Sequence, residues 1–250
     1  HSAVWTGAEM IVWGGLGWFN TGGNYILGAD SWMPTSTGNF CPSTRSQHTA
    51  VWTGTEMIIW GGNSIGTSTN TGGRYNPISD SWLQTSTALN VPSPRYDHTA
   101  VWDGTRMIVW GGREESNWVN TGGIYNPLED TWTPTSTETN CPTSRVSPSA
   151  TWTGLEMIVW GGIDNNGFCA NGGIYNPTTN SWRTMSSGSG CPSGRYQHTS
   201  IWTGSEMIVW GGDGGSYLNT GGKYAIATDT WESTSIGDGC PVERKRHTAV

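Results

Sequence analysis

The sequence predicts an all-β protein, a β-propeller made of four-stranded antiparallel blades, with five blades in this chain. Three observations lead to this prediction. A segment of similar sequence is written five times, its tryptophans keep a fixed spacing, and each copy has short apolar runs between turns rich in glycine, proline and asparagine. Self-similarity at a period of about 20 to 50 residues is typical of propellers and related repeat arrays.

Three series of tryptophans mark the repeat. In the first series the spacings are 47, 50, 50 and 50 residues, at Trp5, Trp52, Trp102, Trp152 and Trp202. The second series follows eight residues later in every copy, at Trp13, Trp60, Trp110, Trp160 and Trp210. The third series lies further along each copy, at Trp32, Trp82, Trp132, Trp182 and Trp231. Only Trp18 and Trp118 of the 17 tryptophans lie outside these series, so the five copies align without ambiguity.

The third copy shows how one repeat should fold. Turn residues divide it into four candidate strands, which are residues 98–102, residues 107–110, a segment around Ile124 and Tyr125, and a segment around Trp132. The Asn-Pro turn at 126–130 joins the last two, because asparagine and aspartate bond nearby backbone and proline presets φ. One such sheet cannot bury both of its faces. Successive copies must therefore stack face to face, as propeller blades do.

The repeat boundaries follow from this alignment. We expect a single β-propeller domain over residues 1–250, with repeats at approximately 1–47, 48–97, 98–147, 148–197 and 198–246. Residues 247–250 (HTAV) resemble residues 1–4 (HSAV) and start a further inner strand, so six strand starts serve five complete blades. We expect the repeats to belong to a longer array, a ring of six or seven blades. The alternative is a ring of five in which one terminal strand is displaced.

The order of the apolar run, the double glycine, the tyrosine and the tryptophan within each copy resembles the kelch repeat of bacterial type. A double glycine follows an apolar run, as at Gly111-Gly112, and a tyrosine and a tryptophan then lie seven residues apart, as at Tyr125 and Trp132. The same pair recurs at Tyr75 and Trp82 and at Tyr175 and Trp182, and the resemblance covers nearly all 250 residues. It implies a propeller fold. It implies no single function, because kelch propellers include binding scaffolds and unrelated enzymes.

Composition and charge narrow the function classes. The net charge is −7 and the only lysines are Lys223 and Lys245, so we expect no basic patch and no nucleic-acid partner. No apolar run in the sequence approaches the roughly 18 residues that suggest a membrane span. Few lysines, with abundant Thr, Ser, Asn, Gly and Trp, favour a secreted or cell-surface protein, although the sequence has no N-x-Ser/Thr acceptor.

The connection between the second and third strands is where the copies differ most. We expect it to lie at the same end of each blade as the link to the next blade, because both join strand ends that point the same way. This end is the candidate binding surface. Its candidate ligand-binding residues are Trp18, Phe19, Arg113, Trp118, Phe168 and Tyr217. These side chains either bind a partner or fold back over the tryptophan-rich core.

Two polar series recur in the links. Arg45, Arg95, Arg145, Arg195 and Arg244 each lie three residues after a proline. We expect these arginines to bond adjacent carbonyls, and the kelch resemblance adds a second possibility, an anionic ligand at the mouth of a central channel. His48, His98, His198 and His247 share one position just before a first strand, where Pro148 replaces histidine in the fourth copy. We expect a structural role for these histidines and predict no metal or cofactor.

The five cysteines divide into two groups. Four of them share one repeat position, namely Cys41, Cys141, Cys191 and Cys240. Because Val91 occupies this position in the second copy, we expect a small apolar site there. Cys169 lies outside this pattern, in a variable connection. A disulfide of Cys169 with Cys141 or Cys191 is plausible from the sequence.

Two function hypotheses follow. The first is a non-enzymatic recognition or scaffold propeller that binds a glycan or a protein partner through the variable connections, with flanking domains or further repeats expected. The alternative is an enzyme acting on sugars at the channel mouth, resembling the epimerases or oxidases of the kelch family. The sequence assigns no catalytic residue, because no acid–base group breaks the repeat near the predicted axis.

Overall fold

The computed structural model describes residues 1–17 and 19–249 and consists mainly of short β-strands. Its described residues contain one helical turn, the 3₁₀ segment Leu27–Ala29. The chain divides into two compact units. The first comprises His1–Asn117 and Gly122–Pro134, and the second comprises Trp118–Thr121 and Thr135–Val250.

The first unit holds three antiparallel sheets of four strands, each lying within one predicted repeat. The first sheet has the order β1 (Ser2–Trp5), β2 (Glu9–Trp13), β3 (Gly22–Ile26), β4 (Ser31–Pro34). The second repeat contains β5 (Thr49–Trp52), β6 (Met57–Trp60), β7 (Asn63–Ser64), β8 (Thr67–Ser68), β9 (Gly72–Asn76), β10 (Ser81–Gln84). The third repeat contains β11 (Thr99–Trp102), β12 (Met107–Trp110), β13 (Arg113–Glu114), β14 (Asn117–Trp118), β15 (Gly122–Asn126), β16 (Thr131–Pro134). The four-stranded sheets of these two repeats are β5-β6-β9-β10 and β11-β12-β15-β16.

The second unit holds two sheets of the same kind. The fourth repeat contains β17 (Ser149–Trp152), β18 (Met157–Trp160), β19 (Ile163–Asp164), β20 (Gly167–Phe168), β21 (Gly172–Asn176), β22 (Ser181–Thr184). The fifth contains β23 (Thr199–Trp202), β24 (Glu206–Trp210), β25 (Gly221–Ala225), β26 (Thr230–Ser233). The four-stranded sheets are β17-β18-β21-β22 and β23-β24-β25-β26. The predicted division of each repeat into four antiparallel strands is confirmed.

The two glycine pairs of each repeat have different physical causes. Gly61 and Gly62, which follow β6, have φ values of +68° and +102°, a left-handed backbone that glycine adopts without the penalty of a Cβ atom. Gly123 lies in β15 with no such backbone. A Cβ atom there would lie 2.6 Å from Cγ of Pro92, so glycine lets the link proline pack against the sheet.

The core lies between successive sheets of a unit, because strands such as β6 bury both of their faces. In the first unit Trp60 packs with Tyr125 and Trp132 of the next sheet. In the second unit Trp160 packs in the same way with Tyr224 and Trp231. Each pair of sheets therefore shares one apolar layer built around the tryptophan of the second strand and the tyrosine and tryptophan that follow it.

A recurring pair of hydrogen bonds fixes each sheet to the next within a unit. The backbone N–H of Ser86 donates to Oδ1 of Asp130 at 2.8 Å, and the indole N–H of Trp132 donates to the carbonyl of Ser86 at 3.0 Å. Asp130 also accepts the hydroxyl proton of Tyr125 at 2.5 Å. The turn aspartates of the third-to-fourth connection therefore join sheets together in addition to closing their own turn.

Candidate recognition surface at the hairpin ends

Each sheet has two ends with different properties. The turn end carries the first-to-second and third-to-fourth connections, and these are nearly the same in the second, third and fourth copies. The N–H of Glu56 donates to Oγ1 of Thr53 at 2.9 Å, and Arg106 makes the same bond to Oδ1 of Asp103 at 2.6 Å. The hairpin end carries the second-to-third connection and the link to the next sheet. Its side chains differ from copy to copy.

The variable connections contain short strands that the sequence analysis did not predict. β7 pairs with β8 in the second repeat, and β19 pairs with β20 in the fourth. In the second repeat the turn is formed by Ile65 and Gly66, with φ values of 50° and 86°, which suits a two-residue hairpin turn. The two-residue turn was the available signal, but strands of two residues are too short to show a period.

The first residue of each hairpin is bridged to the residue that follows the link arginine. The bridged pairs are Ser46 with Asn63, Tyr96 with Arg113, Val146 with Ile163, and Tyr196 with Asp213. Hairpin and link therefore lie at the same end of the sheet, as expected. The pairs combine polar, aromatic–cationic, aliphatic and aromatic–acidic chemistry. Tyr96 and Tyr196 were not among the sequence candidates, although they lie at a link position whose residue changes between neighbouring copies.

The link arginines lie beneath this surface. Arg45, Arg95, Arg145 and Arg195 are at most 1% exposed. Nη1 of Arg195 donates to the carbonyls of Gly211 and Thr220 at 3.0 and 2.6 Å, and Nε donates to the carbonyl of Ser193 at 2.9 Å. Burial lowers the pKa of Arg195 to about 10, which leaves the guanidinium charged at neutral pH. These bonds hold the base of the hairpin to the link.

Arg244 shares the sequence position of these arginines but has different surroundings. It is exposed, and its Nε donates to the carbonyl of Val242 at 3.0 Å. The residue after it, Lys245, takes the place that Tyr196 holds in the preceding link. Of the five link arginines, Arg244 is thus the accessible one.

The link histidines pack against tryptophans of the second strands, and His48 and His98 are buried. Nε2 of His198 lies 2.8 Å from Oγ of Ser149, and its ring packs edge-on against Trp160 at 5.3 Å between centroids. Burial lowers the pKa of His48, His98 and His198 to about 3. The rings of His48, His98 and His198 each contact a tryptophan and a hydroxyl group of an earlier strand. Among the residues that the structure describes, no group of three His, Cys, Asp or Glu side chains could hold a metal ion.

Aromatic side chains cluster at the hairpin ends of the second unit. Phe168 is 42% exposed and stacks on Tyr196, with ring centroids 5.8 Å apart and an interplanar angle of 20°. Tyr217 is 54% exposed. Nζ of Lys245 lies 4.9 Å from the ring centroid of Tyr217 and 5.8 Å from that of Tyr196, and it donates to Oδ2 of Asp213 at 2.9 Å. Phe168 and Tyr217, two of the sequence candidates in this unit, therefore face solvent near the ion pair of Lys245 and Asp213.

The remaining candidates are distributed along the chain. Phe19 is exposed, and the exposed guanidinium of Arg113 lies 5.9 Å from the ring centroid of Tyr96. Trp118 is half-buried on β14. Trp18 lies outside the residues that the structure describes. The arrangement thus exposes Phe19 and Arg113 at hairpin ends of the first unit.

A comparison with known families identifies the repeat. A family model described as the KLHDC2/KLHL20/DRC7 Kelch-repeats domain matches residues 66–250, well over half of the chain. The chain belongs to the kelch-repeat family. The predicted kelch β-propeller fold is thereby confirmed, and kelch repeats generally mediate protein–protein interaction. No curated protein matches the chain.

The cysteines of this kelch chain correct one interpretation of the sequence. All five are within the described residues and are free thiols, so Cys169 forms no disulfide with Cys141 or Cys191. Cys169 is buried, while the thiol of Cys191 lies 3.4 Å from the carbonyl of Ala170. The sequence suggested that Cys169 could lie close to Cys141 or Cys191. Instead, each of the four cysteines that share a repeat position contacts a backbone carbonyl of its own repeat.

Within residues 1–17 and 19–249, no helix is long and apolar enough to cross a membrane.

Proposed function

We propose that this kelch chain is a non-enzymatic recognition module that binds a protein partner through the hairpin ends of its sheets. One observation carries the proposal. The strands and links, with the buried side chains that join them, form a frame that is held by the same bonds in successive copies, while the bridged residue pairs at the hairpin ends change their chemistry. Side chains that vary on a uniform frame support a binding surface, because loops carried by a rigid scaffold commonly hold functional residues. The protein class of the partner follows the general role of kelch repeats.

Phe168 and Tyr217 are the anchors that we propose in the second unit. They are about half-exposed, whereas Trp160 and Tyr224, which belong to the repeat pattern of the same unit, are buried. Aromatic anchors carry much of the binding energy at protein interfaces. Exposed aliphatic side chains also occur at the turn ends, as at Leu155, but single exposed apolar residues are normal on a protein surface.

Three expectations from the sequence stay predictions. These are a glycan partner, the alternative of a sugar-modifying enzyme, and a secreted or cell-surface location. The proposal commits to a protein partner because the family assignment favours that class over the others.

The proposal can be tested by photocrosslinking in an extract of the native source. A benzoylphenylalanine placed at Phe168 or Tyr217 is expected to capture one and the same protein. The same probe at Leu155, on the turn end of the fourth sheet, serves as the matched control and is expected to capture none of it. Equal capture of that protein from Leu155 would contradict the proposal.

The captured protein, once purified, allows an affinity test. Tyr217→Ala and Phe168→Ala are each expected to weaken binding by at least about tenfold, the effect of an interface anchor. Leu155→Ala is expected to leave the dissociation constant unchanged. Denaturation midpoints measured on all three variants show whether the frame is intact. Unchanged affinity in both hairpin variants would overturn the proposal.

A further inference from the structure

The hairpin end of the fifth sheet holds a small cage of two aromatic rings and one carboxylate. Lys245 places its ammonium group 4.9 Å from the ring centroid of Tyr217, 5.8 Å from that of Tyr196, and 2.9 Å from Oδ2 of Asp213. An ammonium within about 6 Å of an aromatic centroid is attracted by the negative face of the ring. The cage thus presents three groups that favour a cation.

We infer that Tyr196, Tyr217 and Asp213 form a binding site for the side-chain ammonium group of a lysine on the partner protein, and that Lys245 occupies this site in the free chain. The inference rests on the proposed function, since it names the chemistry that one hairpin end recognises. The ligand class is an alkylammonium ion.

The cage is built independently of Lys245. The N–H of Asp213 donates to the carbonyl of Tyr196 at 2.9 Å, and the reverse bond from Tyr196 measures 3.1 Å. Oδ1 of Asp213 accepts the N–H of Gly215 at 2.9 Å, which orients the carboxylate and leaves Oδ2 for the ammonium. Phe168 stacks on Tyr196 and supports that ring. Removal of the ammonium would therefore leave the three groups in place.

Lys245 is an exchangeable occupant because the repeat frame does not require a cation at its position. The equivalent residues of the other links are Ser46, Tyr96, Val146 and Tyr196. The backbone on either side is fixed separately, since Arg244 donates to the carbonyl of Leu218 at 3.1 Å and Arg246 donates to that of Gln197 at 3.0 Å. Only the side chain has to move when another ammonium enters.

Electrostatics favour a cation over an anion as the incoming group. Asp213 already neutralises Lys245, and the hydrogen bond between them lowers the pKa of the carboxyl and raises that of the ammonium. An anion would meet a balanced pair, while a second ammonium that replaces Lys245 regains all three contacts. Lys245 is 25% exposed, so the site can be reached from solvent.

The test uses n-butylammonium as the probe and titrates it into the whole chain by calorimetry, with n-butanol as the uncharged comparison. Lys245→Ala is expected to bind n-butylammonium at least about tenfold more tightly than the unaltered chain, because the occupied fraction of the site reduces apparent affinity. Adding Asp213→Asn or Tyr217→Ala to Lys245→Ala is expected to reverse that gain. n-Butanol is expected not to bind.

Lys223→Ala is the matched control. Lys223 is the other lysine of the chain, and its Nζ lies 2.8 Å from Oε2 of Glu232 in an ion pair. Freeing Glu232 should create no ammonium site. Equal binding to the Lys223→Ala and Lys245→Ala variants, or no gain on Lys245→Ala, would overturn the inference and leave Lys245 as a pin between link and hairpin.

The crosslinked partner separates this inference from the proposed function. Lys245→Ala is expected to strengthen partner binding, and acetylation of the partner's lysines is expected to cancel that gain. Partner binding that depends on Tyr217 but is insensitive to Lys245→Ala and to acetylation would reject the ammonium site and keep the proposed function. Binding of n-butylammonium without capture at Tyr217 would reject the proposed function and keep the site.

Discussion

Arg195 and Tyr196 are consecutive residues of one link, yet the side chain of Arg195 lies in the interior and that of Tyr196 lies at the surface. Arg195 is 1% exposed, and its guanidinium is bonded to carbonyl and hydroxyl oxygens of the link and of the fifth repeat. Tyr196 is half-buried at the surface and contacts Phe168 and Lys245. The arginine recurs in every link, whereas the next residue changes.

The difference teaches how one repeat serves two purposes. Successive residues of an extended segment point in opposite directions, so one side chain enters the sheet interface while the next faces outward. The inward position is constrained by buried carbonyls that need donors. The outward position carries no such constraint and can acquire binding chemistry without disturbing the frame.

The largest expected effect is at the inward position. Arg195→Met removes the side-chain donors for the carbonyls of Gly211 and Ser193, and buried acceptors without partners are costly. The carbonyl of Thr220 loses one of its two donors, because it keeps the N–H of Gly211 at 3.0 Å. We expect the free energy of unfolding to fall by about 3 kcal/mol, measured by chemical denaturation. Arg244→Met is the matched control and should change it by less than about 0.5 kcal/mol, because Arg244 is exposed. Similar losses of unfolding free energy in Arg195→Met and Arg244→Met would contradict the claim that the buried arginine stabilises the fold and the exposed one does not.

The second effect concerns the link histidines and pH. His98 has a pKa of about 3 in the folded chain because it is buried, against about 6.5 when unfolded. The unfolded state therefore binds more protons between these values, and the stability contributed by neutral His98 is lost as pH falls. We expect His98→Gln to reduce the slope of unfolding free energy against pH, between pH values of about 6 and 4, by about 1.4 kcal/mol per pH unit.

His247 supplies the comparison for that experiment. It makes the same contact, with Nε2 2.8 Å from Oγ1 of Thr199, but it is less buried than His98. His247→Gln should therefore alter the pH slope less than His98→Gln does. A larger change from His247→Gln would show that burial at the link does not set the titration.

A third, smaller effect on the free energy of unfolding is expected at the turn aspartates. It depends on whether the aspartate also bonds the link that precedes its sheet. Asp80 accepts the N–H of Ser36 at 2.7 Å and the hydroxyl of Tyr75 at 2.8 Å, whereas Asp30 accepts the hydroxyl of Tyr25 at 2.7 Å. Both aspartates have a left-handed backbone, with φ near 45°. Placing alanine in that conformation therefore costs the same free energy at both positions, and the comparison is unaffected. Asp80→Ala should destabilise the chain by about 1 to 3 kcal/mol more than Asp30→Ala. Equal unfolding free energies would contradict the role of Asp80 between sheets.

The smallest effect is expected at the registered cysteines. Val91 occupies their position in the second repeat, where it packs against the apolar cluster around Trp60. Cys191 packs in the same way in the second unit. We expect Cys191→Val to change the free energy of unfolding by less than about 1 kcal/mol, as measured by denaturation. A loss above about 2 kcal/mol would show that the thiol has a specific role.

The sequence predicted the frame well because the frame repeats. The fixed spacing of Tyr125 and Trp132 anticipates their pairing on adjacent strands, and the recurrence of the link arginines anticipates their bonds to carbonyls. Phe168 and Tyr217 were recognised as residues outside the repeat pattern, and of the two alternatives left open for them the structure shows exposed side chains; their role in binding stays a prediction. Periodicity is the signal in each of these cases.

The cage was not predictable from the sequence for a physical reason. Tyr196, Asp213 and Lys245 come from two links and one hairpin, and their proximity depends on backbone bridges such as that between Tyr196 and Asp213. Asp213 and Lys245 each occur once at their repeat position, and at the link position tyrosine occurs only as Tyr96 and Tyr196, so no full repetition marks the three residues. The sequence left a disulfide of Cys169 with Cys141 or Cys191 plausible, and the structure has free thiols instead. Position along the chain does not determine the distance and orientation that a disulfide needs.

The most direct test of the account exchanges one hairpin for another on the same frame. Residues 163–170 (IDNNGFCA) are replaced by the sequence of residues 63–70 (NSIGTSTN), which has the same length. We predict that the free energy of unfolding changes by less than about 2 kcal/mol, while affinity for the crosslinked partner falls at least about tenfold. A chain that folds with undiminished affinity would contradict the claim that the hairpin ends carry recognition.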